Sequence, residues 1–341
     1  MNQLAIVILN WNGKDFLAKF LPSVLKYSST ARIVVADNDS TDDSVLFLKE
    51  NYPNVELVIN DSNGGFAKGY NDALKQIQSS YYLLLNSDVE VTENWLVPLM
   101  EAMKDTSVAG CQPKVLSYQD RNRFEHAGAA GGFLDHNYYP FCRGRIFETT
   151  EMDTNQYDHE MEVFWTSGAC MLIRSEVFHE VGGFDEDFFA HMEEIDLCWR
   201  IKRKGHSFKV IPSAVVYHVG GGTLSYFSPK KTYLNFRNSL FMITKNHEGM
   251  LFFKLIYRGI LDGLAAGMFL ISGKPQHFMA VFKAHLSYYG KLNTMLKHRK
   301  RLKESSIKFN ETGLYHGSIL WAKYFKKIKD FNKLNMRFFK N

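Results

Sequence analysis

The chain has 341 residues, 45% of them apolar and 23% charged, with a formal net charge of +5. This composition is ordinary for globular proteins and excludes an intrinsically disordered chain, and the length predicts a main domain with an appendage. The charge is unevenly spread: residues 291–341 carry 14 Lys and Arg against three acids, a surplus of 11 that leaves −6 for the first 290 residues.

The chain starts with a strand-like run, Leu4–Leu9, with no basic leader or small-residue cleavage site before it, so no signal peptide is expected. Further continuous apolar runs of buried-strand length follow at Arg32–Ala36, Val55–Ile59 and Tyr81–Leu85. Helical periodicity fills the gaps around Asp15–Lys26, Asp42–Asn51, Phe66–Gln78 and Asn94–Lys104. Strand and helix in alternation predict an α/β fold with a doubly wound, mostly parallel sheet and helices on both faces. Ligands of such sheets bind beyond the carboxyl ends of the strands. Those ends read Asn10-Trp11-Asn12-Gly13, Asp37-Asn38-Asp39-Ser40, Asn60-Asp61-Ser62-Asn63-Gly64-Gly65 and Asn86-Ser87-Asp88. Each residue type is at home in a turn or helix cap, but four polar clusters along one rim point to a ligand. No G-x-G-x-x-G or Walker A pattern follows the first run, which argues against a dinucleotide or P-loop site.

From Tyr118 to about Glu160 the pattern loosens into an expected irregular excursion that shapes a substrate site. Order returns with a strand over Val163–Arg174 and helices over Ser175–Val181 and Met192–Lys204. Strands are then predicted at Ser207–Ile211 and Ala214–His218, before Gly220-Gly221-Gly222-Thr223. Cys111, Cys142, Cys170 and Cys198 are widely spaced without a C-x-x-C pair, which predicts a reduced compartment with neither disulfides nor a zinc site.

The last third predicts a mainly helical extension. Met250–Ile271 is rich in Leu, Phe, Ile and Met, yet Lys254, Arg258 and Asp262 recur along one stripe, so an interfacial or packed amphipathic helix fits better than a membrane span. Phe278–Tyr289 then leads into the basic Lys291–Lys303. Apolar faces beside clustered cations favour an anionic membrane surface over nucleic acid, with a helical cap bearing a solvated basic face as the alternative.

The ordered set Val7–Gly13, Val35–Asp42, Asn63–Ala67, Leu85–Asp88, Ser167-Gly168-Ala169, Gly182–Asp185, Glu193–Arg200 and His218 resembles family 2 glycosyltransferases of GT-A fold, in their bacterial rhamnosyltransferase-like branch. The resemblance covers residues 4 to about 225. It implies a catalytic domain over 1–228, with a nucleotide-sugar half to about 115 and an acceptor half beyond. The basic, amphipathic residues 229–341 predict a membrane-associating region, and with the reduced-compartment cysteines a cytoplasmic, peripheral location on the inner membrane face.

Several site roles follow from the resemblance alone. Asn86-Ser87-Asp88 stands where the family has D-x-D, so Asp88 would be the anionic ligand of a divalent metal, Mn2+ or Mg2+, with His218 completing it. Glu194 matches the general base, although the family's usual residue there is Asp. One base and no protein nucleophile implies inversion at the anomeric carbon. Asn10, Asp37, Asn38, Gly64, Gly65 and Asn86 would join Asp88 around the donor nucleotide, the Asn38 amide oxygen accepting from a pyrimidine. Trp165 and Gly168 fall toward the acceptor, and Glu193 would orient the site; Asp196 and Arg200, read from their i, i+4 spacing on the predicted helix, could simply pair and are taken as structural or orienting. The donor would be a dTDP- or UDP-sugar, such as dTDP-rhamnose, and the acceptor a saccharide or lipid-linked saccharide for surface polysaccharide. The rival readings are a sugar nucleotidyltransferase, which lacks its basic glycine loop here, and a catalytically silent nucleotide-sugar-binding scaffold.

Overall fold

The computed structural model describes residues 3–220 and 228–340. The first four strands are β1 (Leu4–Asn10), β2 (Arg32–Asp37), β3 (Glu56–Ile59) and β4 (Tyr81–Asn86), followed by the short β5 (Val89–Val91) and by β6 (Val108–Ser117). Between them lie α1 (Lys14–Tyr27), α2 (Ser44–Asn51), α3 (Gly65–Leu74) and α4 (Leu96–Ala102). β3, β2, β1 and β4 pair in parallel, as the alternation predicts.

The rest of the chain builds the far half of this sheet. Four short strands, β7 (Gly132–Asp135), β8 (Pro140–Cys142), β9 (Arg145–Ile146) and β10 (Thr149–Thr150), occupy the stretch expected to be irregular. They form antiparallel ribbons in a second, smaller sheet. The run Val163–Arg174, expected as one strand, divides into β11 (Met161–Val163) and β12 (Cys170–Arg174). The chain leaves extended pairing there because Phe164 and Trp165 bond through their backbones to Gly132 instead. After α5 (Ser175–Glu180) and α6 (Glu193–Lys202), the two strands expected near residue 210 merge into β13 (Ser207–His218), with a register shift between Ile211 and Val215. β12 is antiparallel to both β4 and β6, and β13 runs parallel to β6. β4, β6 and β13 therefore end at one rim, where β12 begins, and His218 is the last residue of β13.

Side-chain alternation divides the core. Leu4, Ile6, Ile8, Leu83 and Leu85 pack on the α1 and α4 side, whereas Ala5, Val7, Tyr82 and Leu84 join the cluster that includes residues of α3, α6 and α7. Both faces are thus covered, which explains the near-continuous apolar strands.

Helices α7 (Pro229–Asn246), α8 (Leu251–Ile271) and α9 (Pro275–Ser305) follow, α9 packing along α7 and α8 against α9. Beyond α9 the basic stretch returns to the sheet. β14 (Leu314–Tyr315) adds to β7 in parallel, α10 (Ile319–Tyr324) follows, and Phe331 and Phe339 pack against Phe133 and Phe141. No described helix is long and apolar enough to cross a membrane.

Candidate active site

The rim is first a hydrogen-bond lattice. The register sets Asn10 opposite Asp37. Asn10 Nδ2 donates to Asp37 Oδ2 at 2.9 Å, and Ser40 donates to both Asp37 oxygens, from N at 2.9 Å and from Oγ at 2.7 Å. Asn38 Nδ2 donates to Asn63 Oδ1 and to the Gly65 carbonyl, while its Oδ1 accepts from Asn60 Nδ2 at 3.1 Å. The Asn38 oxygen, expected to be turned to a pyrimidine, already holds the next loop. Asn10, Asp37 and Asn38 are all buried, so in this conformation they shape the rim from beneath. The buried Asn10 Oδ1 has no partner among the described residues.

Gly65 has φ +81°, and a Cβ there would come within 2.5 Å of the Phe189 carbonyl oxygen. That carbonyl accepts from Phe66 N at 2.7 Å and Ala67 N at 3.3 Å, so the start of α3 is tied to the loop before α6. The glycine serves a close backbone approach within the protein. A Cβ on Gly64 would meet only the flexible Lys68 side chain.

The chain turns after β4 so that β5 pairs antiparallel with β13, Val89 opposite His218. This register puts Asp88 beside His218, whose Nε2 lies 3.1 Å from Asp88 Oδ1. On its other side, His218 Nδ1 lies 3.0 Å from Glu125 Oε2. All three are buried. Burial pulls the imidazole pKa down, but the two carboxylates outweigh it and raise it to about 10. Glu125 is the residue that sequence reading missed. It sits on the return segment from β6, its N–H donating to the Val115 carbonyl, and no motif marks it.

One carboxylate and one imidazole, with a second carboxylate holding the imidazole's far nitrogen, is the donor set of a borderline or hard divalent cation with its outer-shell partner. Asp88 and His218 fit such an ion with the ion taking the place of the Nε2 proton that His218 now holds toward Asp88. No group of three potential side-chain ligands occurs among the described residues, so a donor diphosphate and water would have to complete the coordination. Asn86 is half-buried beside them, its N–H donating to the Ala169 carbonyl at 3.0 Å.

Glu193 and Glu194 open α6. The preceding residues Phe189, His191 and Met192 all have positive φ (65°, 70° and 72°), each an unfavourable conformation for a side chain of that size. The cost is offset from α7. Asn238 Nδ2 donates to the carbonyls of Phe188, Ala190 and His191 at 2.9, 2.8 and 2.7 Å, and Arg237 donates to those of Asp187 and Phe188. Below the loop, Asp196 accepts from Arg200, Lys245 and Asn246, each at 2.8 Å. Arg200 also donates to the carbonyls of Val181 and Gly183. Asp196 and Arg200 thus orient the helix.

Glu193 Oε2 and Glu194 Oε2 are buried without hydrogen-bond partners among the described residues. Burial pushes the Glu194 carboxyl up to about 7 against the pull of backbone N–H groups at the helix start and the Arg145 charge. Glu193 is raised well above the usual range, by burial and then by Glu194. Burial lowers the pKa of Lys231, near the start of α7, while Glu125 and Glu194 pull it back up.

Two residues expected at the acceptor side behave differently. Trp165 is buried, its Nε1 donating to the Phe133 carbonyl at 3.0 Å, and a Cβ at Gly132 would collide with its ring. It is a packing residue, with no ring face left for a sugar. Gly168 lies on the rim before β12, and a Cβ there would come within 3.0 Å of the Phe66 ring. Gly221, Gly222 and Thr223 lie outside the described residues.

A family model described as "Glycosyl transferase family 2" matches residues 5–182, more than half of the chain. Among curated relatives, the N-acetylglucosaminyl-diphospho-decaprenol L-rhamnosyltransferase of Mycobacterium tuberculosis is 26% identical over 231 residues, covering 63% of this chain and 75% of that protein. Rhamnosyltransferase WbbL of Escherichia coli is 22% identical over 235 residues, 65% of this chain and 86% of that protein. The low-salt glycan biosynthesis hexosyltransferase Agl10 of Haloferax volcanii is 24% identical over 244 residues, covering 70% and 74%. Two solved structures share the fold. GalNAc-T7 with UDP, GalNAc and Mn2+ superposes with a TM-score of 0.61 at 15% identity, and 96% of this chain spans 57% of that one. The mannosyltransferase PcManGT from Pyrobaculum calidifontis, in complex with GDP-Man and Mn2+, gives 0.52 at 13% identity, covering 88% and 85%.

Proposed function

This chain belongs to glycosyl transferase family 2, with relatives named as rhamnosyltransferases, and from that premise we propose that it is an inverting hexosyltransferase with Glu194 as its general base. The donor is a dTDP- or UDP-sugar, carrying rhamnose or another hexose, and the acceptor is a saccharide or lipid-linked saccharide of surface-polysaccharide synthesis. The observation that carries the mechanism is the Glu194 carboxyl: unpartnered at Oε2, at the head of a rigidly held helix, with its pKa raised to about 7. A base with a pKa near working pH combines a useful carboxylate population with the strongest proton affinity.

In this reading Asp88 and His218 hold Mn2+ or Mg2+, as the two Mn2+-containing transferases of like fold encourage. The ion, when bound, would offset the charge that grows on the departing nucleoside diphosphate. Glu125 holds His218 by Nδ1, so that Nε2 is turned toward Asp88. The lattice of Asn10, Asp37 and Asn38 fixes the walls of the nucleotide cleft, and Gly64 and Gly65 bring α3 to its edge. Glu194 takes the proton of the acceptor hydroxyl as that oxygen attacks the anomeric carbon from the face opposite the leaving group. Residues 1–228 make up the catalytic domain in this account, with its donor and acceptor halves meeting near residue 115. Residues 229–341 attach it to the cytoplasmic face of the membrane.

Product configuration tests the proposal. The anomeric configuration of the transferred sugar, read from its one-bond C1–H1 coupling by NMR, should be opposite to the donor's, and a product of retained configuration would overturn the single-base mechanism.

A further inference from the structure

Helix α8 is amphipathic in the reverse of the usual sense. Its polar stripe, Lys254, Arg258 and Asp262, faces the protein. Lys254 Nζ donates to the His136 carbonyl at 2.6 Å and to Asn137 Oδ1 at 3.3 Å, and it lies over the Tyr138 ring. The Arg258 guanidinium, buried, donates to Asp262 at 2.7 Å and stacks over Tyr139 at 4.3 Å. The second Asp262 oxygen meets His285 of α9 at 3.2 Å. Every charge of the helix is thus paired or bonded inward.

The apolar stripe is offset from the polar one by two residues, about 200° around a helix. It therefore faces outward. Phe252, Ile256, Ile260, Leu264 and Met268 repeat every four residues and are 48–69% exposed. On α9, Met279, Phe282, Leu286 and Tyr289 are exposed apolar side chains as well. Soluble surfaces seldom expose a contiguous patch of this kind without an occupant.

Charge identifies the occupant. Between Met250 and Lys303 the only acid is Asp262, which is buried, while ten Lys and Arg occupy the same span. Lys274, Lys283, Lys297, Lys300, Arg301 and Lys303 are exposed. A second copy of this chain would set one cationic rim against another, whereas an anionic headgroup layer complements both the apolar stripe and the cations around it. We infer that α8 lies flat in the interface of an anionic bilayer. The Phe252–Met268 stripe inserts among the acyl-chain ends, and the α9 lysines rest on the headgroups. This rests on the membrane-associated reading given above and assigns the residues that make the contact.

The test is flotation of the full chain with vesicles of phosphatidylcholine and phosphatidylglycerol at about 7:3, beside vesicles of phosphatidylcholine alone. The wild type should float with the anionic vesicles and far less with the neutral ones. Phe252→Glu, Ile256→Glu and Ile260→Glu together should cut vesicle binding more than about tenfold. Lys297→Glu, Lys300→Glu and Arg301→Glu should weaken it severalfold, most at low salt. All these positions are exposed, so circular dichroism and calorimetric binding of UDP and dTDP should match wild type and exclude misfolding. Flotation of the triple apolar variant equal to wild type would overturn the inference, as would a wild type that stays off vesicles and elutes as a dimer. Nucleotide-sugar turnover separates the two readings: turnover without vesicle binding sinks the interface alone, and vesicle binding without turnover sinks the transferase alone.

Discussion

Helices α6 and α8 each bury an aspartate–arginine pair four residues apart, Asp196 with Arg200 and Arg258 with Asp262. In α6 the apolar residues Ile195, Leu197, Trp199 and Ile201 are buried as well, and the pair is one knot in a network running to Lys245 and Asn246 of α7. In α8 the pair is inward and most of the large apolar residues are outward. The same spacing therefore says only that two side chains meet. Which way they face is decided by what the neighbouring elements offer, in one case α7 and in the other the Asp135–Tyr139 turn and His285. In α6 the network holds the helix behind a strained loop, whereas in α8 it leaves an apolar face turned outward.

Substitutions can break or sharpen this contrast. The largest effect belongs to α6: Glu194→Gln should lower turnover by about 10²–10⁴ while calorimetry shows unchanged donor binding, and near-normal turnover would remove Glu194 from the base role. Asp196→Ala leaves Arg200 and Lys245 buried without their shared partner, and should cost about 3–5 kcal/mol in denaturant unfolding. Asn238→Ala gives up the two N–H donors of the amide, shared among three carbonyls of the loop of positive-φ residues. A loss of about 2–3 kcal/mol is expected, with kcat reduced more than donor affinity because the head of α6 shifts. Asp262→Ala should be milder, about 1–2 kcal/mol, since Arg258 keeps the Tyr139 face and α8 is peripheral. Its turnover should stay at the wild-type level, and a loss equal to that of Asp196→Ala would erase the distinction between the helices.

The smallest effect is on the pH profile. The folded pKa of Glu194 is raised to about 7, and only the carboxylate accepts a proton, so activity rises with pH. Between about pH 6 and pH 8 the carboxylate fraction grows roughly tenfold, and kcat should follow. A flat profile across that range would detach the rate from this carboxyl.

Much of this was legible in the sequence, for physical reasons. The four parallel strands are continuous apolar runs because both sheet faces are covered, and their polar ends fall on one rim because parallel strands all end there. The acidic head of α6 was legible through its motif, and the Asp196–Arg200 pair through its spacing. Other features carry no local signature. Glu125 belongs to a return segment and matters only because β13 brings His218 beside it. Asn238 acts on three backbone carbonyls some fifty residues upstream, and backbone acceptors leave no mark on sequence. The ribbons β7–β10 are too short to show a period. Trp165 is expected at the acceptor side because the family's acceptor region lies nearby, yet the missing side chain of Gly132 makes room for its ring in the core. The stripe in α8 was visible, but periodicity gives the axis of an amphipathic helix without its direction.

Metal-assisted transfer with Glu194 as the base is read out by nucleoside diphosphate release. Purified protein would be incubated with a panel of UDP-, dTDP- and GDP-sugars, with Mn2+, Mg2+ or EDTA and a lipid extract as acceptor source, beside the Glu194→Gln variant. Release from a UDP- or dTDP-sugar should be abolished by EDTA, restored by a divalent ion and nearly absent in the variant. Release that is indifferent to EDTA, or equal in the variant, would contradict it.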